Sequence, residues 1–278
     1  PVLESPDSQA LAKSYVQAEG KEANADDPEV QKELAGAEVH PTSFIAARAL
    51  IEMIFDMHSQ GQKAKRIPTT QAGEGLEVLE LGCGTGLPSL AALRTGAEVT
   101  SVDRSPLSRY LVSESASLYP SRASQRHRVV NLDLFDVFER MENPLNIIKE
   151  VSYLPNIVVA NQVFDDNPRL ATAVGRFMGA AAAQGAGVIA CMEAGDTFLR
   201  PETEESWNSF FEAFNDAVKV FHTDGQKLSD INFNSDDSLA MEPVPEPVLE
   251  MTAFANVPFA AQEAEIFYLP PGTLTQKS

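Results

Sequence analysis

Apolar residues along this chain fall into two alternating patterns. Short apolar-rich stretches occur at residues 77–81, 98–102, 127–132, 156–160 and 186–192. Between them, at residues 87–95, 106–118 and 168–183, the apolar positions recur every three to four residues. The runs have the length of buried strands, and the spaced stretches have the period of helices that face a core. Such alternation predicts a parallel sheet covered by helices on both faces.

A further helix is predicted ahead of the first strand. "HPTSFIAARALIEMIFDMHSQ" carries an apolar stripe between Phe44 and Phe55, with Thr42 or Ser43 as its cap. The polar segment "GQKAKRIPTTQAGEG" links it to the sheet. After the fifth run, "RPETEESWNSFFEAFNDAVKVF" predicts another helix, with acids in its first turn where they suit the helix dipole. Residues 224–247 are rich in acids and turn formers and predict a surface loop. Two β-rich runs follow, "VLEMTAF" and "AEIFYL". The expected fold is α/β and Rossmann-like: a seven-stranded, mostly parallel, doubly wound sheet ending in an antiparallel C-terminal β-pair. Residues 1–35 are expected to form a polar lead-in, weakly ordered or helical, and residues 36–278 a single domain.

Charge narrows the partners. Lys and Arg number 21 against 40 Asp and Glu, a formal charge of -19. Nucleic-acid binding draws on cations set against phosphates, so nucleic acid is an unsuitable substrate, whereas a basic one would be attracted. The sequence shows no apolar run long enough for a membrane span and no signal-peptide pattern at its start, which points to a cytoplasmic protein that could also enter the nucleus. Cys83 and Cys191 lack metal-ligand spacing, so no metal site is expected. A monomer is the default.

The stretch "EVLELGCGTGLPSLAAL" holds the candidate chemistry. A dinucleotide fingerprint would need a third glycine where Leu87 stands, and a phosphate loop would need Gly-Lys-Ser/Thr where Leu87, Pro88 and Ser89 stand. The motif present is Glu80-x-Gly82-x-Gly84-x-Gly86. A carboxylate would repel a pyrophosphate, and it suits a cationic ligand. S-adenosylmethionine (SAM) fits, because it has no phosphate, carries a sulfonium and an ammonium, and needs close approach to bare backbone. Asp103 ends the second strand, where an acid can bind both ribose hydroxyls or cap the next helix. Asp133 follows the third strand, where it can accept from an adenine amino group or serve as a solvated turn acid, with Leu132 or Leu134 as an apolar cover for the ring.

Together, Glu80, the three glycines, Asp103 and Asp133 resemble motifs I to III of the class I, seven-β-strand SAM-dependent methyltransferases. "AEVHPTSFIAARAL" followed by "VLELGCGTGLPSLAAL" is similar to family 16 of these enzymes, most of which methylate protein lysines; the likeness covers roughly residues 35–270 and is strongest at the glycine loop. The resemblance implies cofactor contacts at His40, Glu80, Gly82, Cys83, Gly84, Gly86, Asp103, Asp133, Leu134 and Ala160. His40 stands where the family has a tryptophan before proline, and it reads equally as an ordinary helix-start residue. After the fourth strand the family shows Asp-x-x-Tyr, and this chain places Asn161 and Phe164 there; they are the expected catalytic positions bordering the acceptor. Asp165, Asp166 or Glu193 could supply the missing charge.

The activity implied is transfer of a methyl group to a protein side-chain nitrogen, lysine first, with a protein as partner, and the net charge suits a basic one. A lysine with a pKa near 10.4 is neutral roughly once in 2,500 at pH 7, so an enzyme must help remove its proton. A small-molecule N- or O-methyltransferase, or a SAM-fold interaction protein without catalysis, are the alternatives. In-line displacement needs no metal and no nucleophilic residue. No Gly-x-Ser-x-Gly elbow or His-Glu-x-x-His occurs, and His58, His127 and His222 read, with His40, as scattered structural or surface histidines.

Overall fold

The computed structural model describes residues 39–63, 71–135, 155–164, 167–193, 201–221 and 264–274, together with Ala10, Lys13, Gln17 and Val30. Helix α1 (Pro41–Lys63) comes first, followed by β1 (Glu77–Leu81), α2 (Leu87–Thr95), β2 (Glu98–Asp103), α3 (Pro106–Ser117), the single turn α4 (Ser121–Ser124) and β3 (His127–Asn131). Then come β4 (Ile157–Asn161), α5 (Pro168–Ala183), β5 (Gly187–Glu193), α6 (Pro201–Phe221) and β6 (Ala264–Leu269). The sheet runs β3-β2-β1-β4-β5-β6, parallel except for β6, which lies antiparallel to β5.

Apolar residues on both faces of the strands divide the core in two, as a sheet wrapped by helices requires. Val78, Val99, Ile157, Val159 and Ile189 face Ile45, Leu50, Met53 and Ile54 of α1 and Leu90 and Leu93 of α2. Leu79, Leu81, Val158, Ala160 and Val188 face Val174, Phe177 and Met178 of α5 and Phe210 and Phe214 of α6. Helices α5 and α6 press together at Gly175 and Gly179. A Cβ on either would lie 2.3 Å from the carbonyl oxygen of Phe210 or Phe214, so only glycine fits there.

The alternation read from the sequence is present, with strand ends displaced by a residue at most. Six strands are found among the described residues, against seven expected; "VLEMTAF" lies outside them, as does the acidic stretch 224–247. Most of residues 1–35 also lies outside them, although Val30 is helical and fully buried. The helix α1 is capped two or three positions earlier than expected, at His40 rather than at Thr42 or Ser43. His40 accepts the Ser43 N–H on its carbonyl (2.9 Å) and meets the Thr42 N–H (3.4 Å) and hydroxyl (2.9 Å) through Nδ1. Pro41, with no N–H to satisfy, then occupies the first helical position. Among the described residues no helix is long and apolar enough to cross a membrane.

Candidate functional site

Strand order reverses at β1, which pairs with β2 on one side and β4 on the other. In open α/β sheets a crevice forms outside the carboxyl ends of the strands at such a switch point. The glycine loop lies at this end. Gly82, Gly84 and Gly86 all have left-handed φ values of 61°, 51° and 74°, a conformation costing other L-residues about 1 to 2 kcal/mol. The first and last also answer to the protein's own packing. A Cβ on Gly82 would lie 3.0 Å from Val163 beyond β4, and one on Gly86 would lie 2.2 Å from Val112 of α3.

Backbone bonds tie this loop to β2. The Cys83 N–H donates to the Val102 carbonyl (3.0 Å) and the Gly86 N–H to the Cys83 carbonyl (2.7 Å). The Gly84 N–H donates to Asp103 Oδ2 (2.9 Å), while Oδ1 accepts the Ser105 N–H (2.8 Å). Asp103 therefore fixes the loop and the turn into α3 at once. The cap of α3 is Ser105, whose hydroxyl oxygen accepts the Ser108 N–H. Asp133 behaves as a turn acid: Oδ1 accepts the Phe135 N–H (3.0 Å), and Oδ2 pairs with the exposed Arg104 (3.3 Å). Leu134 is buried in the core cluster beside Leu81 and Val102, and Ala160 is buried in the same layer.

Across the crevice stands Asn161, the last residue of β4. Its side chain is buried and reaches α1, where Nδ2 donates to Ser43 Oγ at 3.1 Å. Its Oδ1 is buried with no hydrogen-bond partner. Such an orphaned acceptor costs about 1 to 3 kcal/mol. The next residue, Gln162, holds the one positive φ among the described non-glycine residues, 56°. Backbone strain of this kind costs about 1 to 3 kcal/mol and clusters at functional sites. The start of α1 also covers β5, since Cys191 Sγ meets the Thr42 carbonyl at 3.9 Å.

Phe164 is placed differently from expectation. It is 1% exposed, stacks on Phe210 with centroids 5.1 Å apart, and meets Trp207 edge-on at 5.6 Å. Its place is the aromatic core under α6, and packing is its role. Asp165 and Asp166 lie outside the described residues.

Glu80 is likewise beneath the site, 2% exposed. Helix α2 begins at Gly86 without a side-chain cap, and Glu80 supplies an acceptor from the strand below. Its Oε2 accepts the Ser89 N–H at 3.0 Å and bonds the Ser89 hydroxyl. Ser89 Oγ lies 2.7 Å from Ser101 Oγ, which lies 2.8 Å from His127 Nε2. Burial pushes the Glu80 carboxyl up from 4.5 to about 8 against the lowering effect of the Ser89 bonds, and the Asp103 charge adds to the rise. Burial, then the Asp103 and Glu80 charges, pushes the Cys83 thiol up as well. Burial lowers His127 to about 4.

The sequence reading missed Ser43, Ser89, Ser101, His127 and Gln162 as parts of this arrangement. Ser89 alone had a local signal, since the third residue of a helix is where a capping acceptor reaches. The others depend on which strands become neighbours.

No protein-family profile matches this chain, and neither does any curated protein. Among solved structures it is similar to a SAM-dependent methyltransferase from Agrobacterium tumefaciens, with 19% identity and a TM-score of 0.38 over 61% of this chain and 51% of that one. It is also similar to the CcbJ methyltransferase from Streptomyces caelestis (17% identity, TM-score 0.36, 56% of this chain and 51% of that one). A third is the glycopeptide N-methyltransferase MtfA complexed with SAM (16% identity, TM-score 0.32, 50% of this chain and 54% of that one). The chain thus spans about half the length of these proteins, and none of the three is described as a protein-lysine methyltransferase. Likenesses at this level decide nothing about chemistry, which rests on the crevice itself.

Proposed function

We propose that this chain is a SAM-dependent methyltransferase whose acceptor is a protein side-chain nitrogen, lysine first. The observation that carries the reading is the glycine loop at the switch point, three left-handed glycines stitched to Asp103 through the Gly84 N–H. Bare backbone at Gly84, in the left-handed turn it allows, leaves room for a methionyl chain beside the start of α2. Asp103, aimed by two N–H donors, offers a charged acceptor for ribose hydroxyls. SAM supplies a methyl group already activated by its sulfonium. The residues of the chain have then to align the acceptor and exclude water.

Asn161 does the aligning. Its Nδ2 is tied to Ser43, so its orphaned Oδ1 has a fixed direction and suits an N–H donor. The formal charge of -19 favours a basic protein as partner. A second reading, a small-molecule acceptor, is favoured by the same side chain, because a neutral amide neither holds an ammonium by charge nor takes its proton.

Calorimetry with SAM tests the cofactor assignment, and absence of heat overturns it. Extract incubated with the protein and methyl-labelled SAM then separates the two acceptors, by label in a protein band or in the small-molecule fraction. Asn161→Ala should lower turnover tenfold or more while leaving SAM affinity unchanged; full turnover would place the acceptor elsewhere.

A further inference from the structure

We infer that Ser89, Ser101 and His127 form a proton path through which Glu80 releases its proton to solvent when a cationic ligand occupies the crevice. The ligand half of this inference rests on the proposed function; the path stands on geometry alone. Four side chains from β1, α2, β2 and β3 join in one chain of hydrogen bonds, running from a fully buried carboxyl to a half-buried histidine on an edge strand of the described sheet.

Donor bookkeeping allows this chain two directions. With Glu80 protonated, its O–H donates to Ser89 Oγ, the Ser89 hydroxyl to Ser101 Oγ, and the Ser101 hydroxyl to His127 Nε2, so the imidazole carries its proton on Nδ1. With Glu80 ionised, His127 Nε2–H donates to Ser101, Ser101 to Ser89, and Ser89 to the carboxylate. Passing from the first state to the second moves one proton along each link, from Glu80 to Ser89, from Ser89 to Ser101 and from Ser101 to Nε2. The Nδ1 proton leaves to solvent, and the balance is one proton released. His127, held neutral by burial down to about pH 4, is free to change tautomer without becoming charged.

The titratable groups that act on Glu80 are Asp103 at the end of β2 and the Cys83 thiol of the glycine loop. Helix α2 meets it with Ser89, and its strand partners are Ser101 on β2 and Val159 on β4. Burial, and to a lesser degree the Asp103 charge, oppose ionisation, so about nine in ten Glu80 carboxyls are protonated at pH 7 with a pKa of about 8. A sulfonium and an ammonium above the loop supply the missing counter-charge, and the proton leaves by the path. His127 is thus a positioning residue, acting on the crevice through two hydroxyls.

Nitrogen NMR of the histidine-labelled, full-length protein reads the tautomer directly, with His127→Phe assigning the signal. In the ligand-free protein, His127 should carry Nδ1–H near pH 6 and Nε2–H near pH 9.5. Glu80→Gln should abolish the conversion, and Ser101→Ala, its fold checked by circular dichroism, should uncouple it. One tautomer throughout in the wild type, or an unchanged conversion in Glu80→Gln, overturns the path. Saturating SAM at pH 7 should convert His127 to Nε2–H; binding heat without conversion overturns the coupling while leaving the proposed function intact. No heat removes the coupling together with that function, and the pH series still judges the path.

Discussion

Glu80 makes a quantitative prediction about stability that needs no ligand. An acid whose pKa rises from 4.5 in the unfolded chain to about 8 in the folded one binds more protons when folded across that interval. Stability from this group is therefore full below the unfolded pKa, declines as pH rises, and is lost once pH exceeds the folded value. A shift of roughly 3.5 units corresponds to about 4 to 5 kcal/mol over the whole interval, and about 2 to 3 kcal/mol of it falls between pH 6 and pH 9. Glu80→Gln retains an oxygen that can accept from Ser89 but cannot ionise. Urea unfolding of both proteins at the two pH values gives a double difference from which the titration of every other group cancels. The wild type should lose about 2 to 3 kcal/mol more than the variant between pH 6 and pH 9. Equal losses would mean that Glu80 is ionised at neutral pH, and the account of burial winning over the Ser89 bonds would be wrong.

Asp103→Ala should weaken SAM binding by about 1 to 3 kcal/mol in calorimetry, since it removes a charge-assisted acceptor and releases the Gly84 N–H; unchanged affinity would refute the assignment. Gly179→Ala should destabilise the fold by about 1 to 3 kcal/mol in urea titration, because its methyl meets the Phe214 carbonyl oxygen at 2.3 Å and forces α5 from α6; an unchanged midpoint would show that these helices part freely.

What the sequence determined by itself is local in origin. The alternation of apolar-rich stretches with helical spacing was enough to locate the sheet strands among the described residues, because the central strands, buried on both faces, must be largely apolar. The spacing of Gly82, Gly84 and Gly86 marked a loop of bare backbone after β1; the left-handed φ that all three adopt emerged only with the structure. Asp103 was legible for the same reason, as the residue that leaves β2 beside that loop.

What tertiary structure decided is which side chains meet. Asn161 and Ser43, 118 positions apart, become partners only because α1 crosses the end of β4. Phe164 follows Asn161 by three residues yet enters the opposite layer, where Trp207 and Phe210 of α6 enclose it. Glu80, an acid expected to face a cation directly, is drawn beneath helix α2 by the unsatisfied N–H of Ser89, and Ser101 and His127 join it through the pairing of β1 with β2 and of β2 with β3. Periodicity records which face of an element is buried; strand order and helix crossing, which no local pattern encodes, record what it is buried against.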